Sequence, residues 1–263
     1  MQARKMLQQI CGDANQLEHL MLWAVHFLNH SKLLDQQGSW ANSNGSAVEV
    51  FQAFLDCFGK FERICELDHF DGRWISPVVD HMLELLVCYA EDADEETLPQ
   101  SHKIGDSEAL HVEKAQTTME SLCRRLIHGQ RNPPDNRKFA AYFLVLRAIK
   151  VSFALNNFNN CPRHFSFIER AEQVERDMLP RSWHVGVAYY RGRLYLYQND
   201  LRRAKQELER AFELCHKDYC ENKQRILRYL IPVEVAVAGK FPSKKLLQEY
   251  DLLEYQNVVE ACL

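Results

Sequence analysis

Long stretches of this chain contain neither glycine nor proline, and within them apolar residues return every three or four positions. A 3.6-residue period of this kind lays the apolar side chains along one side of a helix, so the chain reads as all-α. Residues 48–66 align Val50, Phe54, Phe58, Phe61 and Cys65 on one stripe. Residues 75–90 align Val78, Met82, Leu85, Leu86 and Tyr89, and residues 108–127 align Val112, Ala115, Met119, Leu122 and Leu126. Residues 137–155 are apolar almost all round, as expected of a helix covered on several sides. Further helices are expected at 164–177, 183–198, 200–216 and 222–238. Two segments read as loops. WANSNGS, at 40–46, is polar and contains glycine, and EDADEETLPQSHKIGDSE, at 91–108, is acidic with few apolar residues.

Helix pairs joined by short turns predict a stacked helical-repeat array. One pair carries the pattern well: in VGVAYYRGRLYLYQNDLRRAKQELERAFELCH, Gly192, Tyr195, Ala204, Leu208 and Ala211 fall at tetratricopeptide spacings. Gly192 lets a neighbouring helix approach its backbone, and Tyr195 fills the gap one turn on. Asn199-Asp200 makes the turn, with Asp200 capping the next helix. The other units lack a clean copy, so the array is degenerate.

Charge divides unevenly. Residues 1–122 hold 8 Lys+Arg against 20 Asp+Glu, and residues 123–263 hold 24 against 16. The basic half suits phosphate or an acidic peptide, unless its charges are simply solvated. Nine cysteines without a CxxC pair fit reduced thiols and a reducing compartment, nucleus or cytosol. No run of eighteen apolar residues and no secretory pattern is present, so no membrane partner is expected.

Catalytic and metal patterns are weak. His26 and His30 share a helical spacing but lack the glutamate of HExxH and a third ligand. Cys215-His216 with Cys220 is a second candidate, yet Cys215 lies on an apolar stripe, which makes it a core thiol. Gly186 and Gly192 lie inside a helical pattern, so no phosphate loop forms, and no GxSxG motif exists. The chain therefore reads as a non-enzyme with no cofactor, no metal and no small-molecule substrate.

The most informative stretch is NKQRILRYLIPVEVAVAGKFPS, residues 222–243. Ile226, Leu230, Val233 and Val237 make a helical stripe. Val233, Val235 and Val237 also alternate as a strand would, but Pro232 is a poor central-strand residue and helix is the better reading. Pro232 should kink that helix. Gly239 then caps it, Pro242 blocks continuation, and Ser243 caps a short helix at 244–250. Asp251 with Glu254 resembles a capping box opening a last helix that reaches Leu263. That helix would leave Tyr255, Val258, Val259 and Cys262 unpacked. Lys217, Lys223, Arg225, Arg228, Lys240, Lys244 and Lys245 cluster here, interleaved with Tyr219, Tyr229 and Phe241. Cations beside aromatics suit nucleic acid or an acidic peptide, unless they form a solvated helix edge.

With these residues in view, the chain resembles the PCI-domain family, most clearly over 186–263. A Tyr-Tyr-x-Gly-Arg helix is matched by Tyr189, Tyr190, Gly192 and Arg193. Ala204, Leu208, Ala211 and Phe212 match the next helix. Asn222, Lys223, Ile226, Leu227, Tyr229, Leu230, Pro232 and Val233 match the one after. A Gly-x-x-Pro turn, Gly239 to Pro242, precedes Leu246, Leu247 and Tyr250. Upstream, Trp74 with Pro77 and the helix at 137–155 fit more weakly.

The resemblance implies a right-handed tetratricopeptide-like array, with N-terminal repeats over 1–110, including the acidic loop at 91–108, and the helical part of a PCI domain over 111–263. It also implies a non-catalytic scaffold. In the family's mRNA-export member that scaffold sits at the nuclear pore, binds a large scaffold subunit and a small acidic subunit, and contributes to RNA binding. This sequence ends at Leu263, where the family would run into a winged helix, so RNA or DNA binding is expected to be weakened. A signalosome, proteasome-lid or translation-initiation scaffold, or a direct nucleic-acid-binding module, is the alternative.

Overall fold

A computed structural model describes residues 46–65, 72–97, 110–128, 138–170 and 177–256. Every regular element among them is helical. The chain divides into two compact units, the first ending at Asn157 and the second starting at Phe158. This packing boundary is separate from the division at 110/111, between N-terminal repeats and the helical part of a PCI domain, that the resemblance implies.

The first unit contains α1 (Ala47–Cys65), α2 (Gly72–Thr97), α3 (Leu110–His128) and α4 (Lys138–Ala154). α1 buries Val50, Phe51, Phe54, Phe58, Phe61 and Ile64 against α2. α2 answers with Val79, Met82, Leu83, Leu86 and Ala90, while Val78 and Leu85 of the expected stripe are half-buried. The α3 stripe is buried as its spacing requires, from Val112 to Leu126. α4 packs on both α2 and α3, which is why its sequence is apolar all round. Its buried Ser152 is satisfied twice: the hydroxyl donates to Ala148 O at 2.9 Å and accepts from Gln116 Nε2 at 2.9 Å. Burying a large apolar side chain contributes about 2 kcal/mol, so the phenylalanine row of α1 dominates this unit.

One expected loop is partly helix. The acidic run begun at residue 91 continues α2 to Thr97, and residues 98–109 lie outside the described set. The acids stay helical because two neighbouring helix N-termini arrive beside them. The buried Asp94 carboxylate accepts from the backbone N–H of His111 at 2.9 Å and of Val112 at 3.0 Å, and meets His111 Nδ1 at 2.7 Å. Glu96 accepts from Ser46 Oγ at 3.0 Å and Val48 N–H at 3.2 Å, at the start of α1. Carboxylates placed there satisfy orphan donors and complement the helix dipoles.

The second unit contains α5 (Cys161–Glu169), α6 (Arg181–Tyr197), α7 (Leu201–Leu214), α8 (Cys220–Ala238) and α9 (Lys244–Glu249), then a 3₁₀ turn at Leu253–Tyr255. α5 starts earlier than its apolar pattern suggested, because Pro162 suits a first helical turn, and it stops at Glu169. α6 and α7 form the repeat pair the spacing predicted. A Cβ on Gly192 would lie 2.7 Å from Leu208 Cγ, so only glycine permits this approach. Asn199 takes a φ of 61° in the turn, and the Asp200 carboxylate accepts from Arg203 N–H at 3.1 Å. Tyr195 is half-buried under Arg203, while Ala204 and Leu208 are fully buried.

α8 runs through Pro232 as one helix and ends at Gly239, whose φ of 61° is the left-handed cap foreseen. Ser243 Oγ accepts from Leu246 N–H at 3.2 Å and opens α9, with Pro242 in the connecting turn. Two expectations fail here. Val237 is 38% exposed, so the packed stripe of α8 ends at Val233. Asp251 does not cap a new helix, because its φ of 49° is incompatible with an extended N-cap; it ends α9 instead. Residues 257–263, with most of the expected last helix, lie outside the described set, as do His26 and His30.

Candidate partner-binding surface

The second unit's cations fall into two kinds. The first kind is built into the fold. α7 ends with carbonyls that have no helical donor, and two basic side chains supply donors. Arg181 donates to Leu214 O and Glu213 O, and Lys223 Nζ donates to Phe212 O at 3.2 Å. The Lys223 ammonium also stands 3.9 Å from the Phe212 ring centroid, and the residue is only 9% exposed. Lys223 therefore does not stand outside as its charge suggested. Its spacing held the clue: residue 223 precedes Ile226 and Leu230 on the inward stripe, and a lysine stem buries readily.

Arg193 is a third structural cation. Its guanidinium lies 5.5 Å from the Tyr189 ring, 5.9 Å from Tyr190 and 4.7 Å from Tyr229. The rings meet edge to face, Tyr189 with Tyr190 at 5.1 Å and with Tyr229 at 5.8 Å. Burial pushes the Tyr189 phenol up to about 12, with Arg193 opposing the rise. The motif residues Tyr189, Tyr190 and Arg193 on α6 and Tyr229 on α8 thus belong to one cation–π cluster joining two helices. Arg191, one position before Gly192, pairs with Glu169 and Glu207 and lies 5.1 Å from the Phe165 ring, tying α5 to α6 and α7.

The second kind is exposed: Lys217, Arg225, Arg228, Lys240, Lys244 and Lys245. Arg225 and Arg228 share the outer stripe of α8 with Glu221 and Pro232. Arg228 pairs with Glu254 at 3.4 Å. Lys217, Arg225, Lys240 and Lys245 form no ion pair with another described residue. The structure does not gather all six, since fifteen residues of helical rise put Arg225 and Lys240 about 20 Å apart. One group lies around the first half of α8 and the other around its end and α9. Beside the first group is a recess of about 590 Å³ floored by Val185, Leu214 and Cys215 and rimmed by Arg181, His216 and Tyr219. Tyr219 is 63% exposed at its edge. Cys215 is the core thiol its stripe implied, and burial raises its pKa. Among the described residues no cluster of three or more His, Cys, Asp or Glu is arranged to hold a metal ion, and no helix is long and apolar enough to cross a membrane.

Comparison with known proteins finds sequences similar to this chain among the PCI domain-containing proteins. The chain is 28% identical over 230 residues to PCI domain-containing protein 2 of Xenopus laevis, covering 84% of this chain and 54% of that protein. It is 23% identical to the PCI domain-containing protein 2 homolog of Dictyostelium discoideum, over 97% of this chain and 56% of that one. It is 22% identical to the Protein CSN12 homolog of Gibberella zeae, over 88% and 54%. No family model matches the chain. The resemblance to the PCI-domain family therefore rests on these relatives, and the chain spans about half the length of the curated relatives it matches.

Proposed function

We propose that the chain serves as a non-catalytic adaptor of a nuclear mRNA-export complex, with a large scaffold subunit and a small acidic subunit as partners. Support comes from its likeness to PCI domain-containing protein 2 across most of its length. The observation that carries the binding role is the division of cations in the second unit. Lys223, Arg181 and Arg193 are occupied by the fold, whereas Lys217, Arg225, Lys240 and Lys245 are exposed and have no such task. An acidic segment would meet them with modest loss of hydration, because exposed cations give steering and specificity more than raw affinity.

The test is binding of the full chain to the small acidic subunit, comparing wild type with Arg225→Glu/Lys245→Glu. Affinity is expected to fall about tenfold and the salt dependence to flatten. An unchanged affinity refutes the site. RNA is the secondary ligand of this reading, and its binding should weaken steeply as salt rises.

The relation to the Protein CSN12 homolog favours a second reading, a scaffold subunit of a different PCI-containing assembly. Co-purification from nuclear and cytoplasmic extracts separates the two by the masses of the captured partners.

A further inference from the structure

We propose that residues 250–256 form a strap closed on α8, and that Pro232 creates its anchor. Proline is the least favourable residue inside a helix, and here its ring is exposed, so packing does not account for it. Its consequence is local. Pro232 has no N–H, so the carbonyl of Arg228, four residues earlier, lacks its helical donor. The Tyr255 hydroxyl donates to that carbonyl at 3.0 Å.

Two contacts on the same side of α8 complete the closure. Gln224 Nε2 donates to Asp251 O at 3.1 Å, and the Arg228 guanidinium pairs with the Glu254 carboxylate at 3.4 Å. Beneath them Leu252 is fully buried, and Tyr250 meets the Phe212 ring edge to face at 5.9 Å. Asp251, with its left-handed φ, makes the turn that starts the strap. Closed, the strap occupies both the carbonyl and the guanidinium of Arg228; opened, it returns the guanidinium to solvent. Arg225, one turn earlier, is exposed in either state.

A double-mutant cycle in the full chain tests this, with amide hydrogen exchange at Leu252 and Tyr255 as the readout. The Leu252 amide ties the strap to Leu247 O of α9, and the Tyr255 amide closes the strap's own turn onto Leu252 O. Tyr255→Phe removes only the donor and should speed their exchange about fivefold, the factor carried by one ordinary hydrogen bond. Pro232→Ala restores a helical N–H to the Arg228 carbonyl, and in that background Tyr255→Phe should change the rates by about twofold at most. Glu254→Gln, which loosens the strap without touching the carbonyl, should act equally in both backgrounds. Equal effects of Tyr255→Phe with and without Pro232, or no effect in the native chain, overturn the proposal. So does a Glu254→Gln effect that also depends on Pro232, since general loosening would then be the cause.

Discussion

Both units place charge at helix ends, but with opposite sign, and each buries one such residue, Asp94 in the first and Lys223 in the second. In the first, Asp94 and Glu96 at the end of α2 accept from the N-termini of α3 and α1. In the second, Arg181 and Lys223 donate to the C-terminus of α7, and Arg193 sits among three tyrosines. Arg193 aside, these placements follow the helix dipole, whose N-terminal end favours anions and whose C-terminal end favours cations. The acidic and basic halves of the sequence are therefore not wholly a matter of partners: part of each excess stabilises its own fold. The units also differ in what lies between their helices. The first is filled by large side chains such as Phe51, Phe54, Phe58 and Phe61, whereas in the second the packing of α6 on α7 depends on Gly192.

That difference predicts where the largest single effect falls. Gly192→Val should drive a branched side chain into Leu208 and cost about 3 kcal/mol, near the upper end for overpacking. Exchange protection should be lost across α6 and α7. Urea unfolding that leaves the variant as stable as the native chain would show that α7 can yield, and that the glycine is incidental.

Asp94→Ala comes next. It strips two backbone donors and His111 of their acceptor inside the first unit, at a cost of about 2 kcal/mol. Heat unfolding followed by circular dichroism measures it. Fraying should start at the N-terminus of α3.

The legibility of the sequence follows the same line. Features that depend on neighbours in sequence could be read: the Gly192–Leu208 approach from repeat spacing, the Asp200 and Ser243 caps, the left-handed Gly239. Features that depend on which helix ends meet in space could not. Nothing local says that Asp94 will find the start of α3 seventeen residues on, so an acidic run with few apolar residues looked like loop. Lys223 is hard to read for a related reason: its charge suggests exposure, while its spacing places it on the inward stripe. The cluster of Arg193 with Tyr229 was visible only as two motifs, whose meeting needs the fold. The resemblance itself came through because several of its marked residues, Gly192, Tyr229 and Gly239 among them, make these contacts and turns.

Lys223→Met separates the two kinds of cation more gently. The methionine keeps much of the buried stem and loses the hydrogen bond to Phe212 O and the charge over the Phe212 ring. The expected cost is about 1 kcal/mol by denaturant titration. Affinity for an acidic partner should stay near the native value, in contrast to Arg225→Glu. A loss of binding equal to that of Arg225→Glu would return Lys223 to the surface and erase the distinction.

The smallest expected effect compares one exposed thiol from each unit. Cys88 lies on α2 near Glu84, Glu91 and Asp92; partial burial and these carboxylates raise its pKa, which lowers its thiolate fraction at pH 8. Cys220, exposed at the start of α8, has Lys217 as well as Asp218 and Glu221 close in sequence, so the charge around it is mixed. A negatively charged disulfide reagent should therefore label Cys220 a few times faster than Cys88, because only the thiolate attacks and the acids around Cys88 also repel the reagent. Cys57 sets the floor. Burial raises its pKa to about 11, so it should stay unlabelled until the chain unfolds. Peptide mapping by mass spectrometry reads all three sites in one sample. Raising the salt should narrow the gap between Cys88 and Cys220, since exposed charges are screened within about 10 Å at 0.1 M, and leave Cys57 protected. A gap that salt does not change would mean that access, not the acidic surround of the first unit, sets the order.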